Sequence, residues 1–210
     1  MPKRILILSA CGNAAEPHEC NGICEQAQLY GIDTVCLDIK NNKELETVLS
    51  SNGEFDYIYL SAHGCAESFG SEDGLVDMAW DDFSGLLCSS RCMSEDAILM
   101  LSCCRGGLMQ VAYTLFNNCS QIAYVLGPRQ SLTSADMHIC FGIFLYNMEK
   151  RNTDPVVACE KIKCATGQRF SCYDRQEEEM NLDNYYYLSR INEIYEKVCL
   201  DGGEEEGGKS

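Results

Sequence analysis

The sequence predicts an α/β protein in which a mostly parallel central sheet is covered by helices on both faces. Short aliphatic runs of strand length alternate along the chain with amphipathic segments of helix length, which is the pattern of a parallel sheet sandwiched between helices. Two of the runs, Tyr57 to Leu60 and Ile98 to Leu101, are apolar at every position, so both pleat faces are buried, as in central parallel strands. Both also end in reactive residues. The first closes as Leu60-Ser-Ala-His63-Gly64 and the second as Leu101-Ser-Cys103-Cys104-Arg105-Gly106-Gly107. In open α/β sheets the ligand site lies beyond the carboxyl ends of the strands, so the histidine and a thiol meet where chemistry is expected.

Taken in order, residues 3–9 form a continuous aliphatic first strand. Residues 13–30 read as a loop and a helix that Gly31 ends, glycine being suited to the left-handed position after a helix. Residues 34–39 form a second strand, and residues 43–51 a helix with Leu45, Val48 and Leu49 on one face. Asn52-Gly53 marks the turn into the histidine-bearing strand. Residues 65–80, rich in glycine, serine and acids, form a loop or hairpin, after which Asp81 or Asp82 caps a short helix through Phe83, Leu86 and Leu87. The thiol-bearing strand covers residues 97–102, and Gly106-Gly107 opens a helix over 108–116 whose N-terminus points at the two cysteines. A fifth strand, 121–126, is closed by Gly127-Pro128. Ser134 or Asp136 caps a helix running to about Lys150, and Pro155 starts another through Cys164, with proline at the first helical position. Residues 184–198 read as a final amphipathic helix. The organisation expected is one domain over 1–199 and a disordered, acidic, glycine-rich tail over 200–210.

Composition excludes several classes. The 210 residues are enough for one substantial core. A net charge of −16 argues against nucleic acid, whose phosphates need clustered lysine and arginine, and is compatible with steering of cationic substrates. No apolar run approaches the roughly 18 residues that span a bilayer, and the short run after Met1 is unlike a secretory leader, so a cytoplasmic protein without membrane contact is expected. Fifteen cysteines is an odd count, and in a reducing compartment most behave as small buried hydrophobes. No glycine-rich phosphate loop follows any strand, and no cofactor is expected.

A histidine at one strand tip and a cysteine at another is the layout of a thiol nucleophile with its base. Gly64 lets the backbone approach a ligand closely, and an amide at Cys104 is placed to donate to a developing oxyanion. Two neighbouring thiols compete for the role, Cys103 and Cys104; successive strand residues face opposite ways, so only one can meet His63. Metal binding is the rival chemistry. The spacings His18-x-Cys20-x-x-x-Cys24 and Cys88-x-x-x-Cys92 are tolerable for zinc, but neither is a Cys-x-x-Cys knuckle, and no metal is assigned. Cys65 reads as packing or as a redox partner of the nucleophile.

With these residues in view, the chain resembles the CHAT branch of the caspase-like cysteine peptidases. Leu60-Ser-Ala-His63-Gly64 is similar to the family's His-Gly block, and Leu101-Ser-Cys103-Cys104 to its block of a small residue followed by the nucleophile. The similarity continues through Gly74-Leu-Val, Ala123-Tyr-Val-Leu-Gly-Pro-Arg129, Leu132-Thr-Ser-Ala-Asp136, the helix with Phe141, Phe144 and Tyr146, and Pro155-Val-Val-Ala-Cys-Glu-Lys. The separation of His63 from Cys104 is of the order of the roughly 50 residues between histidine and cysteine in caspases. The resemblance implies a caspase-like three-layer sandwich and a cysteine endopeptidase acting on proteins or peptides. It makes His63 the general base, Cys104 the nucleophile with Cys103 as the alternative, and the amides of Gly64 and Cys104 the oxyanion hole, with no third catalytic residue. It further implies a bacterial defence or programmed-death setting with a separate sensor or activator protein, and an acidic substrate pocket for which Asp136 and Asp73, with Glu72 near the latter, are candidates. The alternative is a catalytically inactive protein-interaction module of the same fold.

Overall fold

The computed structural model describes residues 2–51 and 53–180. The first aliphatic run becomes β1 (Arg4–Ser9), in which Ile5, Leu6, Ile7 and Leu8 are wholly buried. There follow α1 (Glu16–Leu29), β2 (Asp33–Asp38), α2 (Asn42–Ser51) and β3 (Phe55–Gly64). A hairpin of β4 (Ser68–Gly70) and β5 (Asp77–Ala79) leads into α3 (Trp80–Ser90), β6 (Met93–Cys103) and α4 (Met109–Asn118). The remaining elements are β7 (Ile122–Pro128), α5 (Ser134–Arg151), α6 (Pro155–Thr166) and β8 (Phe170–Asp174). Contacts divide the chain into a unit over Met1–Asp174 and another over Arg175–Ser210, of which Arg175 to Met180 are described, as helix. The expected helix over 184–198 and the tail lie outside the described residues.

The sheet runs β2-β1-β3-β6-β7-β8 and is parallel except at β8, which pairs antiparallel with β7. Strand alternation divides its side chains between two cores. Leu6, Leu8, Ile58, Leu60, Leu99, Leu101 and Cys103 face the layer of α2, α3 and α4. Ile5, Ile7, Tyr57, Tyr59, Ile98 and Met100 face α1, α5 and α6. The expected α/β architecture, with a mostly parallel sheet and helices on both faces, is therefore present. The chain leaves β1 toward β2 and then returns to the other side of β1 as β3. This reversal opens a crevice between the carboxyl ends of β1 and β3, the place where open α/β sheets bind ligands.

Several boundaries differ from the sequence reading. β6 starts at Met93 because that residue pairs with Phe55 ahead of a bulge, and the run of polar Ser94, Glu95 and Asp96 hides that extension. Gly127-Pro128 does not close β7. Both residues pair with β8, opposite Ser171 and Phe170, and glycine is required at 127 because the Gly106–Gly107 backbone crosses there, its Gly107 nitrogen 2.7 Å from where a Cβ would lie. A Cβ at Gly107 would lie 2.0 Å from the Gly127 carbonyl oxygen, and Gly107 N–H donates to the Pro128 carbonyl at 2.9 Å. Neither Asp81 nor Asp82 caps α3. The cap residue is Ala79, without a side-chain bond, and the two carboxylates sit in the first turn, where the helix dipole favours them. Nor is Ser134 or Asp136 the cap of α5. Thr133 is, with Asp136 completing a capping box three residues on.

Among the described residues no helix is long and apolar enough to cross a membrane.

Candidate active site

The tips of β3 and β6 sit side by side. Ala62 is paired with Cys103 in parallel register, so His63 and Cys104 occupy the next positions on strands ~4.8 Å apart. Leu60 and Ala62 turn into the core under α2, α3 and α4, and so do Leu101 and Cys103. Ser61 and His63, with Ser102 and Cys104, face the opposite side and line a common cavity of about 270 Å³.

That pleat separates the two thiols. Cys103 is wholly buried among apolar side chains and its Sγ lies 3.6 Å from the Leu60 carbonyl oxygen. Burial pushes its thiol well above the ordinary range, with the nearby Glu19 charge adding to the effect. Cys104 is half-buried and lines the cavity, with its Sγ 4.0 Å from the Leu132 carbonyl. His63 is exposed at the cavity mouth.

Gly64 is where the strand tips touch. A Cβ built there would stand 2.8 Å from Cys103 Cβ and 2.8 Å from the Cys104 carbonyl oxygen, with the Cys104 nitrogen at 3.4 Å. Only glycine allows these backbones so close, and this contact brings the amides of Gly64 and Cys104 into one neighbourhood. Behind the tip, the β4–β5 hairpin continues from His63 and Gly64, which pair with Gly70 and Phe69. It is pinned by the Trp80 indole N–H, which donates to the Cys65 carbonyl at 3.1 Å. The Cys65 Sγ lies 3.5 Å from the Ser68 hydroxyl, and Cys65 does not line the cavity.

The segment after β1 makes one wall, through Cys11, Asn13 and Ala15. Its shape is set by the first turn of α1. The Glu16 carboxylate accepts the amides of Cys11 and Gly12, both at 2.7 Å. The Asn13 side chain accepts the amides of Ala15 at 2.9 Å and Glu16 at 3.0 Å. The opposite wall is the start of α5, contributing Leu132, Thr133, Ser134 and Met137.

The cavity lining also holds a buried carboxylate, Glu19, one turn into α1, with only 4% of its surface exposed. Its Oε1 accepts the Tyr59 hydroxyl at 2.7 Å and the Ser102 hydroxyl at 2.5 Å, and Ser134 supplies a smaller hydrogen-bonding contribution. Burial pushes its carboxyl above the usual range, against the pull of these hydroxyls. Sequence reading passed over Glu19. An acid in a helix's first turn is the ordinary complement of the dipole, and its one distinguishing signal is its position just after the strand that adjoins the crevice.

The two acids singled out as substrate contacts stand elsewhere. Asp136 takes the Thr133 hydroxyl at 2.7 Å and the Gln168 amide at 3.3 Å, and the Thr133 bonds hold its carboxyl below the usual range. Asp73 is exposed in the hairpin turn, where it accepts the Ser71 hydroxyl at 2.6 Å and the Leu75 amide at 3.0 Å. Neither lines the cavity. Both carboxylates are engaged in local backbone architecture, a helix cap and a turn. Among the described residues no three His, Cys, Asp or Glu side chains gather in a way that would hold a metal ion.

No protein-family model matches the chain, and no curated protein matches it.

Proposed function

We propose that the chain is a caspase-like cysteine endopeptidase that hydrolyses peptide bonds with Cys104 as nucleophile and His63 as general base. One observation carries this reading: His63 and Cys104 face the same cavity from adjacent strand tips, while Cys103 is sealed in the opposite core. His63 takes the Cys104 proton, and the thiolate attacks the carbonyl carbon of the scissile bond. The amides of Gly64 and Cys104 donate to the oxyanion that develops. The C–N bond then breaks, the amine leaves with the proton held by His63, and a thioester joins the acyl group to Cys104. Water, deprotonated by His63, attacks that thioester and releases the acid and the thiol. A reducing, cytoplasmic setting and a separate activator protein belong to the same proposal.

The test is a pair of variants. Cys104→Ala abolishes peptide hydrolysis and labelling by a peptide carrying an electrophilic warhead, whereas Cys103→Ala retains most of both. The reverse result would overturn the assignment. Absence of labelling in the wild-type protein under reducing conditions, with and without calcium, favours a non-catalytic interaction module instead.

A further inference from the structure

We infer that the chain carries a second ligand site, away from Cys104, for a small organic carboxylate with an apolar body. It lies in a groove between α1 and α5 and does not depend on the peptidase reading.

The first ground is shape. The groove holds a cavity of about 340 Å³, larger than the one at Cys104, and the two share no lining residue. Its size is within the ~300–1,000 Å³ range of small-molecule sites. The groove exists because each helix gives up a side chain to the other. A Cβ at Gly22 of α1 would stand 2.3 Å from His138 Cε1, and a Cβ at Gly142 of α5 would stand 2.7 Å from Gln26 Oε1. Glycine inside a helix costs stability, and here it lets the imidazole and the amide press against the facing backbone. Ile139, Ile143 and Tyr146 supply apolar walls, and Ile139 and Tyr146 are exposed.

The second ground is the polarity of the groups that line it. The Tyr30 hydroxyl oxygen accepts the Gln26 amide at 2.8 Å, so its own proton is left to donate. Gln26 Nε2 is spent on that bond and on the Gly142 carbonyl at 3.0 Å. His138 Nδ1 is buried without a partner. A buried orphan acceptor is tolerated better than an orphan N–H, which places the imidazole proton on Nε2 and makes that nitrogen a donor.

The third ground is charge. The chain has 32 acidic residues against 16 lysines and arginines, yet no carboxylate lines this cavity. Lys150 follows Tyr146 by about one turn of α5, and its Nζ sits 5.0 Å from the centroid of the Tyr30 ring. It pairs with no carboxylate among the described residues. An ammonium held at the edge of an apolar cavity, over an aromatic ring and beside neutral donors, is complementary to one anionic group on an apolar body.

The experiment measures binding of phenylbutyrate, phenylbutanol and phenylbutylamine to the full chain by equilibrium dialysis at neutral pH. Phenylbutyrate is expected to bind about tenfold more tightly than the alcohol and about a hundredfold more tightly than the amine. In Lys150→Gln the advantage of the carboxylate over the alcohol falls to about 1, with the alcohol's affinity unchanged. Ile139→Glu, at an exposed position, weakens phenylbutyrate at least about tenfold by repulsion and leaves the circular dichroism spectrum as in the wild type. Cys104→Ala binds phenylbutyrate like the wild type. Phenylbutanol binding as tightly as phenylbutyrate, an unchanged ratio in Lys150→Gln, or no binding of any probe overturns the inference. Loss of binding in Cys104→Ala overturns it too, by moving the ligand to the other cavity. In sedimentation equilibrium, a dimer that Tyr146→Asp splits into monomers overturns it by assigning the groove to a second copy, whereas a wild-type monomer supports it.

Discussion

A carboxylate with 4% of its surface exposed and, among the described residues, no lysine or arginine paired with it costs stability wherever it is ionised. For Glu19, burial raises the folded-state pKa and the Ser102 and Tyr59 hydroxyls lower it only in part. The folded protein therefore holds this proton more tightly than the unfolded chain. Stability contributed by the protonated form is fully present below the unfolded value of ~4.3 and is lost as pH rises through the folded value. Glu19→Gln keeps the size and an acceptor oxygen but removes the charge. It is expected to be more stable than the wild type by about 1 kcal/mol at neutral pH, with the difference shrinking toward zero near pH ~4. Urea unfolding at the two pH values measures this, and a variant less stable than the wild type at neutral pH would mean that the ionised carboxylate is already compensated. The same contrast explains what was legible. His63 and Cys104 are readable because each interrupts an apolar strand at its end. Glu19 was not, because nothing local distinguishes a buried acid in a first helical turn from a solvated one. Its role arises from Tyr59 and Ser102 on strands distant in sequence.

At the level of elements, the closeness of the β3 and β6 tips depends on a missing side chain. In Gly64→Ala the added carbon meets the Cβ of wholly buried Cys103 and the backbone carbonyl of Cys104, both at 2.8 Å, and neither is the far end of a flexible side chain that could swing aside. The variant is expected to lose ~1–3 kcal/mol of stability and to label Cys104 at least about tenfold more slowly, since ~1 Å of displacement misaligns the attacking group. Gly85→Ala on the exposed side of α3 is the control. No atom lies within 4 Å of its Cβ position, and replacing a helical glycine there raises stability by up to ~1 kcal/mol. Wild-type stability in Gly64→Ala would show that the tips tolerate separation. Elements with a period of their own were readable: the aliphatic strands β1, β3 and β6, and the helices that punctuate them. β8 was not. Phe-Ser-Cys-Tyr-Asp is five residues of weak alternation, and it is a strand because β7 offers an open edge and because Phe170 packs against Phe141, ring centroids 5.4 Å apart. The α3 boundary escaped for a similar reason. Asp81 and Asp82 look like caps, but the helix begins at Trp80, whose buried ring packs against Phe69.

For the whole molecule, the reversal of strand order between β1 and β3 places the cavity at a crevice of a strongly acidic chain. The net charge is −16, and Glu19 is a single unit of it. Two electrostatic effects on a lysine-bearing substrate therefore separate by range. A substrate bond to the nearly buried Glu19 would act at contact and be poorly screened, whereas attraction by the remaining charge acts through solvent and fades beyond the Debye length of ~10 Å at 0.1 M salt. Raising ionic strength from about 0.02 M to about 0.3 M is expected to lower kcat/KM for a lysine-bearing peptide by about threefold or more, through slower capture. A peptide with norleucine at that position and no other charge changes little. Glu19→Gln then discriminates the two effects: it removes the contact bond but keeps nearly the same salt slope, because the long-range field is almost unchanged. A salt slope that disappears with Glu19 would assign the whole attraction to the cavity. A slope shared by charged and neutral peptides would assign it to the protein's own conformational response to salt.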